Sequence, residues 1–220
     1  MTEGVFVTGT GTEVGKTVVA AVIARTLAAE GRGVAVYKPA VTGLDEGGEY
    51  DHELLRRAAG SSQSDAEIAP YRYGPPASPH LAAALAGERI DPEVLRQAAR
   101  AAGDGAEVLV CEGVGGLLVP LAEDYSVRDL AVDLGLPLVV AASPGLGTIN
   151  HTLLTLEAAR AAGLEVRAVV LTPWPERPSK VEGSNRETVA ALGGVPVLTL
   201  PPLDLGAPDG WPALQAFPSP

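Results

Sequence analysis

A single cysteine, Cys111, stands in a chain of 220 residues, which excludes an intramolecular disulfide framework. Basic residues are scarce. Lys and Arg number 16 against 27 Asp and Glu, a formal net charge of −11. A nucleic-acid binder is expected to carry a basic surface, so that class is disfavoured, and the acidity reads as solubility. No apolar run reaches the length of a membrane span, and no charged segment followed by an apolar one precedes the first strand. The reading is therefore a cytoplasmic protein with neither nucleic acid nor membrane as partner. His52, His80 and His151 lack metal-ligand spacing, and neither HExxH nor CxxC occurs. No Gly-x-Ser-x-Gly supports a serine hydrolase. Cys111 continues an apolar stretch and reads as a buried thiol. Internal repeats and dividing linkers are missing too, and the length lies within the range of one domain. A hydrophobic content of 46% with 20% charged residues fits a globular protein.

What is present begins at the N-terminus. Gly9-Thr10-Gly11-Thr12-Glu13-Val14-Gly15-Lys16-Thr17 follows the apolar run Val5-Phe6-Val7 and precedes an Ala/Val-rich helical stretch. This is the context of a loop that wraps a nucleotide's phosphates. Glycines let backbone N–H groups converge on one anion, and the following helix start favours negative charge. Lys16 would reach the β- and γ-phosphates and the Thr17 hydroxyl would ligate Mg²⁺. The usual spacing has Gly six residues before the Lys. Here Thr10 holds that position and Gly9 lies one step further out.

Short apolar runs at 5–8, 34–37, 108–111, 138–141, 166–171 and 195–198 read as buried parallel strands. Helices are expected near 16–30, 52–59, 79–86, 92–102, 127–134, 148–162 and 184–192, with glycines at or just past their ends. The alternation predicts an α/β protein of a single domain, three layers deep, with a mostly parallel sheet like that of phosphate-loop NTPases. Residues 1–203 would form that domain and 204–220 a Pro/Gly-punctuated tail. The segments 70–79 and 173–178 are Pro-rich and read as loops. Ligands in such sheets collect at the C-terminal strand ends.

Those ends carry the candidates. Lys38, in Tyr37-Lys38-Pro39, is either a second cation facing phosphates or a solvated surface lysine. Thr42, before Gly43, is either a substrate-binding hydroxyl or a turn former. Asp51 opens a helix, and taken alone it reads as an N-cap. Glu112, heading Glu112-Gly113-Val114-Gly115-Gly116, either holds a metal or starts a glycine turn; an unpaired carboxylate would be costly there. The loop from Ser143 to Gly147, leading into Thr148-Ile149-Asn150-His151, is a second anion site or an ordinary turn.

Taken together these segments, with Ser78-Pro79-His80, resemble dethiobiotin synthetase, an ATP-dependent enzyme that closes a ureido ring. The resemblance covers most of the chain, to about Leu203, and the Gly9-to-Gly15 spacing is itself a family trait. It implies that 7,8-diaminononanoate, CO₂ or bicarbonate and Mg·ATP give dethiobiotin, ADP and phosphate through a carbamate and a carbamic–phosphoric anhydride. Lys16, Lys38 and Thr42 would be catalytic. Thr12, Glu13, Val14, Gly15, Lys16, Thr17, Asp51, Glu112, Gly113, Val114 and Gly115 would surround the nucleotide, with Thr17, Asp51 and Glu112 on Mg²⁺. Many relatives read adenine with an Asn where this chain has Thr172, followed by Pro173; Pro201, Pro202 and Leu203 would flank the base. Glu13, Lys38, Thr42, Gly147, Thr148 and Asn150 would meet the substrate, the last three across a homodimer interface.

The alternative is a switch ATPase of the partition or cell-division type with the same fold. Those proteins carry a second Lys early in the phosphate loop, and this loop has none before Lys16.

Overall fold

The computed structural model describes residues 2–215. In chain order the strands are β1 (Glu3–Gly9), β2 (Val34–Tyr37), β3 (Ala40–Val41), β4 (Tyr71–Arg72), β5 (Val108–Gly116), β6 (Pro120–Ala122), β7 (Tyr125–Ser126), β8 (Leu138–Ala142), β9 (Val166–Leu171) and β10 (Val197–Thr199). The helices are α1 (Lys16–Ala29), α2 (Asp51–Ala59), α3 (Asp65–Ile68), α4 (Pro79–Leu85), α5 (Pro92–Gly103), α6 (Val127–Leu134), α7 (Thr148–Ala161) and α8 (Lys180–Gly193). Six strands form one parallel sheet in the order β10-β9-β8-β1-β5-β2. The chain leaves β1 toward β2 on one side and later fills β8, β9 and β10 on the other. The topological switch, where such sheets bind ligands, therefore lies beside β1.

Alternate residues of each strand serve opposite faces. Val5 and Val7 of β1, with Val36, Val110, Val139 and Val170, pack with α1 and α2. Phe6, Ala35, Leu109 and Cys111 point into the layer with α5 and α6. Val140, Val169 and Leu171 meet α7 and α8 on that second side. Both faces are covered, so the strands read as unbroken apolar runs. Helix α1 is apolar nearly all round, with Val19 to Ala24 fully buried. It lies between the sheet, α2 and the residues after β10. There Leu205, Trp211 and Leu214 join the α1 cluster, and the Leu214 N–H donates to Thr26 Oγ1 at 3.0 Å. Residues 216–220 of the expected tail lie outside the described residues.

Several expected boundaries are corrected. β5 does not stop at residue 111 but runs through its glycines to Gly116, pairing Glu112 with Val7 and Gly116 with Gly9. A Cβ on Gly113 would lie 2.8 Å from Val127 Cγ1 and 2.9 Å from Phe6 Cε1, so glycine is what lets β5 pass there. The stretch 70–79 is not all loop: Tyr71 and Arg72 pair in parallel with Ala40 and Val41. α8 starts at Lys180 rather than 184, capped by Ser179 and Glu182, which bond each other's backbone N–H groups. The last strand covers Val197–Thr199 rather than 195–198. Among the described residues no helix is long and apolar enough to cross a membrane.

Candidate nucleotide and metal site

The loop between β1 and α1 is built on two glycines with different jobs. A side chain at Gly9 would meet Val14 Cγ2 at 2.7 Å and the Lys16 stem at 2.9 Å, so Gly9 is the groove over which Lys16 folds. The shifted glycine of the sequence thus has a steric reason. Gly15 precedes α1 at φ 83°, a left-handed conformation, and a Cβ there would lie 2.5 Å from Thr172 Cγ2. Glu13 is also left-handed, at φ 58°, unusual for a residue with a side chain. Thr12 and Glu13 are exposed, and Val14 is half-buried. The first turn of α1 has no side-chain cap, which leaves its N–H groups for a ligand. Lys16 is buried and donates to the Gly11 carbonyl at 2.8 Å.

Three elements, β2, α2 and β5, bring charge to this loop. Lys38, at the end of β2, is 2% exposed and is not a surface lysine. Its Nζ lies 2.6 Å from Asp51 Oδ2 and 2.7 Å from Glu112 Oε1. Thr17 Oγ1 lies 2.9 Å from Asp51 Oδ1 and 2.9 Å from Glu112 Oε1, its one proton shared between them. Asp51 is corrected from its capping role. It is the first residue of α2, where the N-cap position falls on Tyr50, whose N–H donates to Glu53 at 3.0 Å. The Asp51 carboxylate faces Thr17 and Lys38.

Burial opposes every charge in the cluster, and the neighbours decide the balance. For Lys38 burial is outweighed by Glu112 and Asp51, so its ammonium is held above the usual lysine range. Burial lowers Lys16, against the pull of Glu112 and with the repulsion of Lys38. Asp51 is pushed up by burial but held below the usual carboxylate range by Lys38 and Thr17. Glu112, fully buried, is raised by desolvation despite Lys38.

The donor set suits Mg²⁺. Magnesium is commonly held by one or two carboxylates plus substrate phosphates rather than by an all-protein cage. Thr17, Asp51 and Glu112 supply a hydroxyl and two carboxylates, and among the described residues no group of three or more His, Cys, Asp or Glu is arranged for a metal. Glu112 Oε2 is buried without a hydrogen-bond partner, an acceptor that a cation or its water would satisfy.

Other candidates lie around this cluster at different depths. Gly113 is buried; Val114 and Gly115 are half-buried, Gly115 at φ 61° with a Cβ position 2.8 Å from Val119 Cγ2. Thr42 is half-buried just after β3, ahead of Gly43 at φ 85°. Thr172 is buried beside Gly15, while Pro173, Pro201 and Pro202 are exposed. The Trp174 N–H donates to the Leu200 carbonyl at 2.7 Å and so ties the two base-side loops together. Leu203 packs back on the α1 cluster. The loop before α7 is set apart: Gly147 and Asn150 are exposed, Thr148 is buried, and Leu146 is 90% exposed.

Sequence reasoning missed Asn185. It is buried on α8 and its Nδ2 donates to the carbonyls of Pro144 and Gly145 at 2.9 and 3.0 Å, which shapes the loop before α7. An Asn within a helical stretch gives no signal of a partner some 40 residues away. A cavity of about 870 Å³, lined among others by His80, Arg89, Arg96 and Tyr125, shares no residue with the charged cluster.

The parallel sheet, the glycine loop at its switch point and the lysine–carboxylate cluster define a protein of the phosphate-loop NTPase class. A family model described as an AAA domain matches residues 3–207. Among solved structures, chloroplast FtsY from Physcomitrella patens is similar at a TM-score of 0.56 and 17% identity, over 98% of this chain and 63% of that one. At that identity the likeness concerns the fold alone. The ATP-dependent dethiobiotin synthetase BioD of Rhodococcus erythropolis (strain PR4 / NBRC 100887) is 40% identical over 97% of both chains. That of Bacillus subtilis (strain 168) is 37% identical over 90% of this chain and 87% of its own. The chain belongs to the dethiobiotin synthetase family.

Proposed function

We propose that this chain carries out the ATP-dependent carboxylation and ring closure of 7,8-diaminononanoate to dethiobiotin. The observation that carries the reading is the set of buried Lys38 and Glu112 with half-buried Asp51 and Thr17, assembled beside Lys16 at the phosphate loop. One substrate amine takes up CO₂ as a carbamate and loses a proton. A carbamate oxygen attacks the γ-phosphorus and displaces ADP. The second amine then attacks the carbonyl carbon, expels phosphate and closes the ureido ring.

In this reading Lys16 neutralises the transferring phosphoryl group. Lys38 bridges carbamate and γ-phosphate, and Thr42 hydrogen-bonds the carbamate or an amine. Thr17, Asp51 and Glu112 hold Mg²⁺, which when bound offsets charge on the phosphates. The residues' task is alignment and charge neutralisation in a site with little water. Thr12 to Thr17 and Gly113 to Gly115 border the phosphates, Thr172, Pro173 and Pro201 to Leu203 border the base, and Glu13 lies near the amines. Gly147, Thr148 and Asn150 receive the substrate carboxylate from the other subunit of a homodimer. The exposure of Leu146 and of Leu154, at 90% and 56%, supports an interface on that side.

Phosphate release should require the diamine and bicarbonate together. Equal release with ATP alone would sink the reading. The shared site has its own test. Mixing Lys38→Ala with Asn150→Asp subunits, each nearly inactive alone, should restore one clean site per dimer. No rescue between freely exchanging subunits would mean self-contained sites.

A further inference from the structure

We propose that Lys38 is the stand-in cation of the nucleotide-free enzyme: its ammonium holds Asp51 and Glu112 together, and an arriving Mg²⁺ expels it toward the phosphates. The inference rests on the reading that these carboxylates receive the metal.

Three observations carry it. Lys38 Nζ bonds an oxygen of each carboxylate at 2.6 and 2.7 Å, and the Glu112 oxygen that it uses is the one that faces Thr17. The ammonium therefore occupies the carboxylate surface that a metal on Thr17 would need. Both Lys38 and Glu112 are almost wholly buried, so solvent screens little between an ammonium and a divalent cation held against Glu112 Oε1; Asp51, whose side chain is 44% exposed, turns its other oxygen, Oδ1, to Thr17. Glu112 Oε2 has no partner and stays in reserve. The two cations compete for the same negative charge, so one must leave as the other settles. Lys38 has one flexible stem and is anchored by its own backbone, whose N–H donates to the Ile68 carbonyl at 2.9 Å. Its head can swing while the strand end stays fixed. Metal and catalytic lysine would then be coupled: Lys38 is released only once the metal is in place.

The test uses the full chain without nucleotide and Mn²⁺ alone as probe, with free Mn²⁺ followed by electron paramagnetic resonance. Lys38→Met keeps the stem's bulk and removes the competing charge, so it should bind Mn²⁺ at least ~10-fold more tightly than wild type. Equal or weaker affinity, or no binding by either protein at millimolar metal, overturns the proposal. A second measurement covers a variant that fails to fold. Lys16, Lys38 and Lys180 are the chain's lysines, so ¹⁵N-lysine labelling gives an assignable Lys38 ammonium signal in the wild type. It should shift and exchange faster with water when Mg²⁺ and ADP are added, and not with ADP alone. An unmoved signal overturns the proposal. Neither readout involves the diamine, so failure here is separable from failure of the ring-closure reading.

Discussion

Helices α1 and α7 begin alike and end up in different surroundings. Each is 14 residues long and follows a glycine loop at the end of an inner strand, with a left-handed glycine before its first turn, Gly15 at φ 83° and Gly147 at φ 90°. Neither first turn has a side-chain cap or an acidic residue. Both helix starts favour an anion, though at α7 the Thr148 N–H already donates to the Gly145 carbonyl at 3.3 Å. At α1 the loop supplies its own cation in Lys16, and Lys38, Asp51 and Glu112 close around it. The helix behind is buried by sheet, α2 and the C-terminal residues. At α7 no lysine or arginine lies in the loop, and exposed Leu146, Asn150 and Leu154 surround the helix start. A helix start is only half a site; what the tertiary structure puts around it decides whether it works alone or needs a second surface.

The sharpest way to break this comparison is to remove one charge from each end. Lys16→Ala should lower turnover by ~10²–10³ and weaken ATP binding, because a cation facing developing charge is lost. Lys38→Ala should lose a similar factor mainly in kcat. Asn150→Asp should instead raise KM for the diamine, the new charge repelling the carboxylate, with ATP binding unchanged. Steady-state kinetics with each substrate varied separates them. If Asn150→Asp weakened ATP binding, the two loops would not be independent.

Next in size is the packing behind each loop. Ile23 of α1 is fully buried, and Ile23→Ala should cost about 2–5 kcal/mol in urea unfolding. Leu154 of α7 is 56% exposed, and Leu154→Ala should change the subunit's stability by less than ~0.5 kcal/mol while weakening self-association in sedimentation. A large loss of subunit stability at Leu154 would show that α7 is buried in the fold rather than at an interface.

The glycines give a finer contrast. Adding a side chain at either left-handed position costs about 1–3 kcal/mol of strain. At Gly15 the new Cβ also meets Thr172 at 2.5 Å, whereas at Gly147 the nearest atom is His151 Cε1 at 3.4 Å. Gly15→Ala should abolish nucleotide binding in calorimetry, and Gly147→Ala should fold and bind ATP. The smallest effect concerns the base. Thr172 has no amide fork, so replacing ATP by GTP or CTP should cost less here than in a relative with Asn. A preference for ATP of ~10³-fold or more would mean that backbone groups near Pro173 or Pro201–Leu203 read the base.

Much of this was legible in the chain because the signals are local. The β1 loop, the strand-and-helix alternation and the parallel sheet follow from apolar runs, glycines and the Lys16-Thr17 pair, all adjacent in sequence. Other features depend on distant partners. Nothing near Asp51 says that its carboxylate will face Thr17, 34 residues earlier, and Lys38 rather than its own helix start. The glycines after Glu112 look like a loop until Phe6 and Val127 show why a strand must pass there without side chains. Asn185 gives no sign of the loop that it holds.

By itself the sequence determined that a phosphate loop joins a strand to a helix, since backbone freedom at Gly9 and Gly15 and the chemistry of Lys16 and Thr17 are properties of the residues in place. Its alternation of short β-branched runs with Ala-rich stretches also determined a parallel sheet covered on both faces. Only the tertiary structure decided that Lys38 is a buried cation rather than a solvated one. Its state depends on Asp51 and Glu112, 13 and 74 residues further along, being delivered by α2 and β5 to the same strand ends. A charge can be kept out of water only where opposite charges meet it, and that meeting is a property of the folded chain.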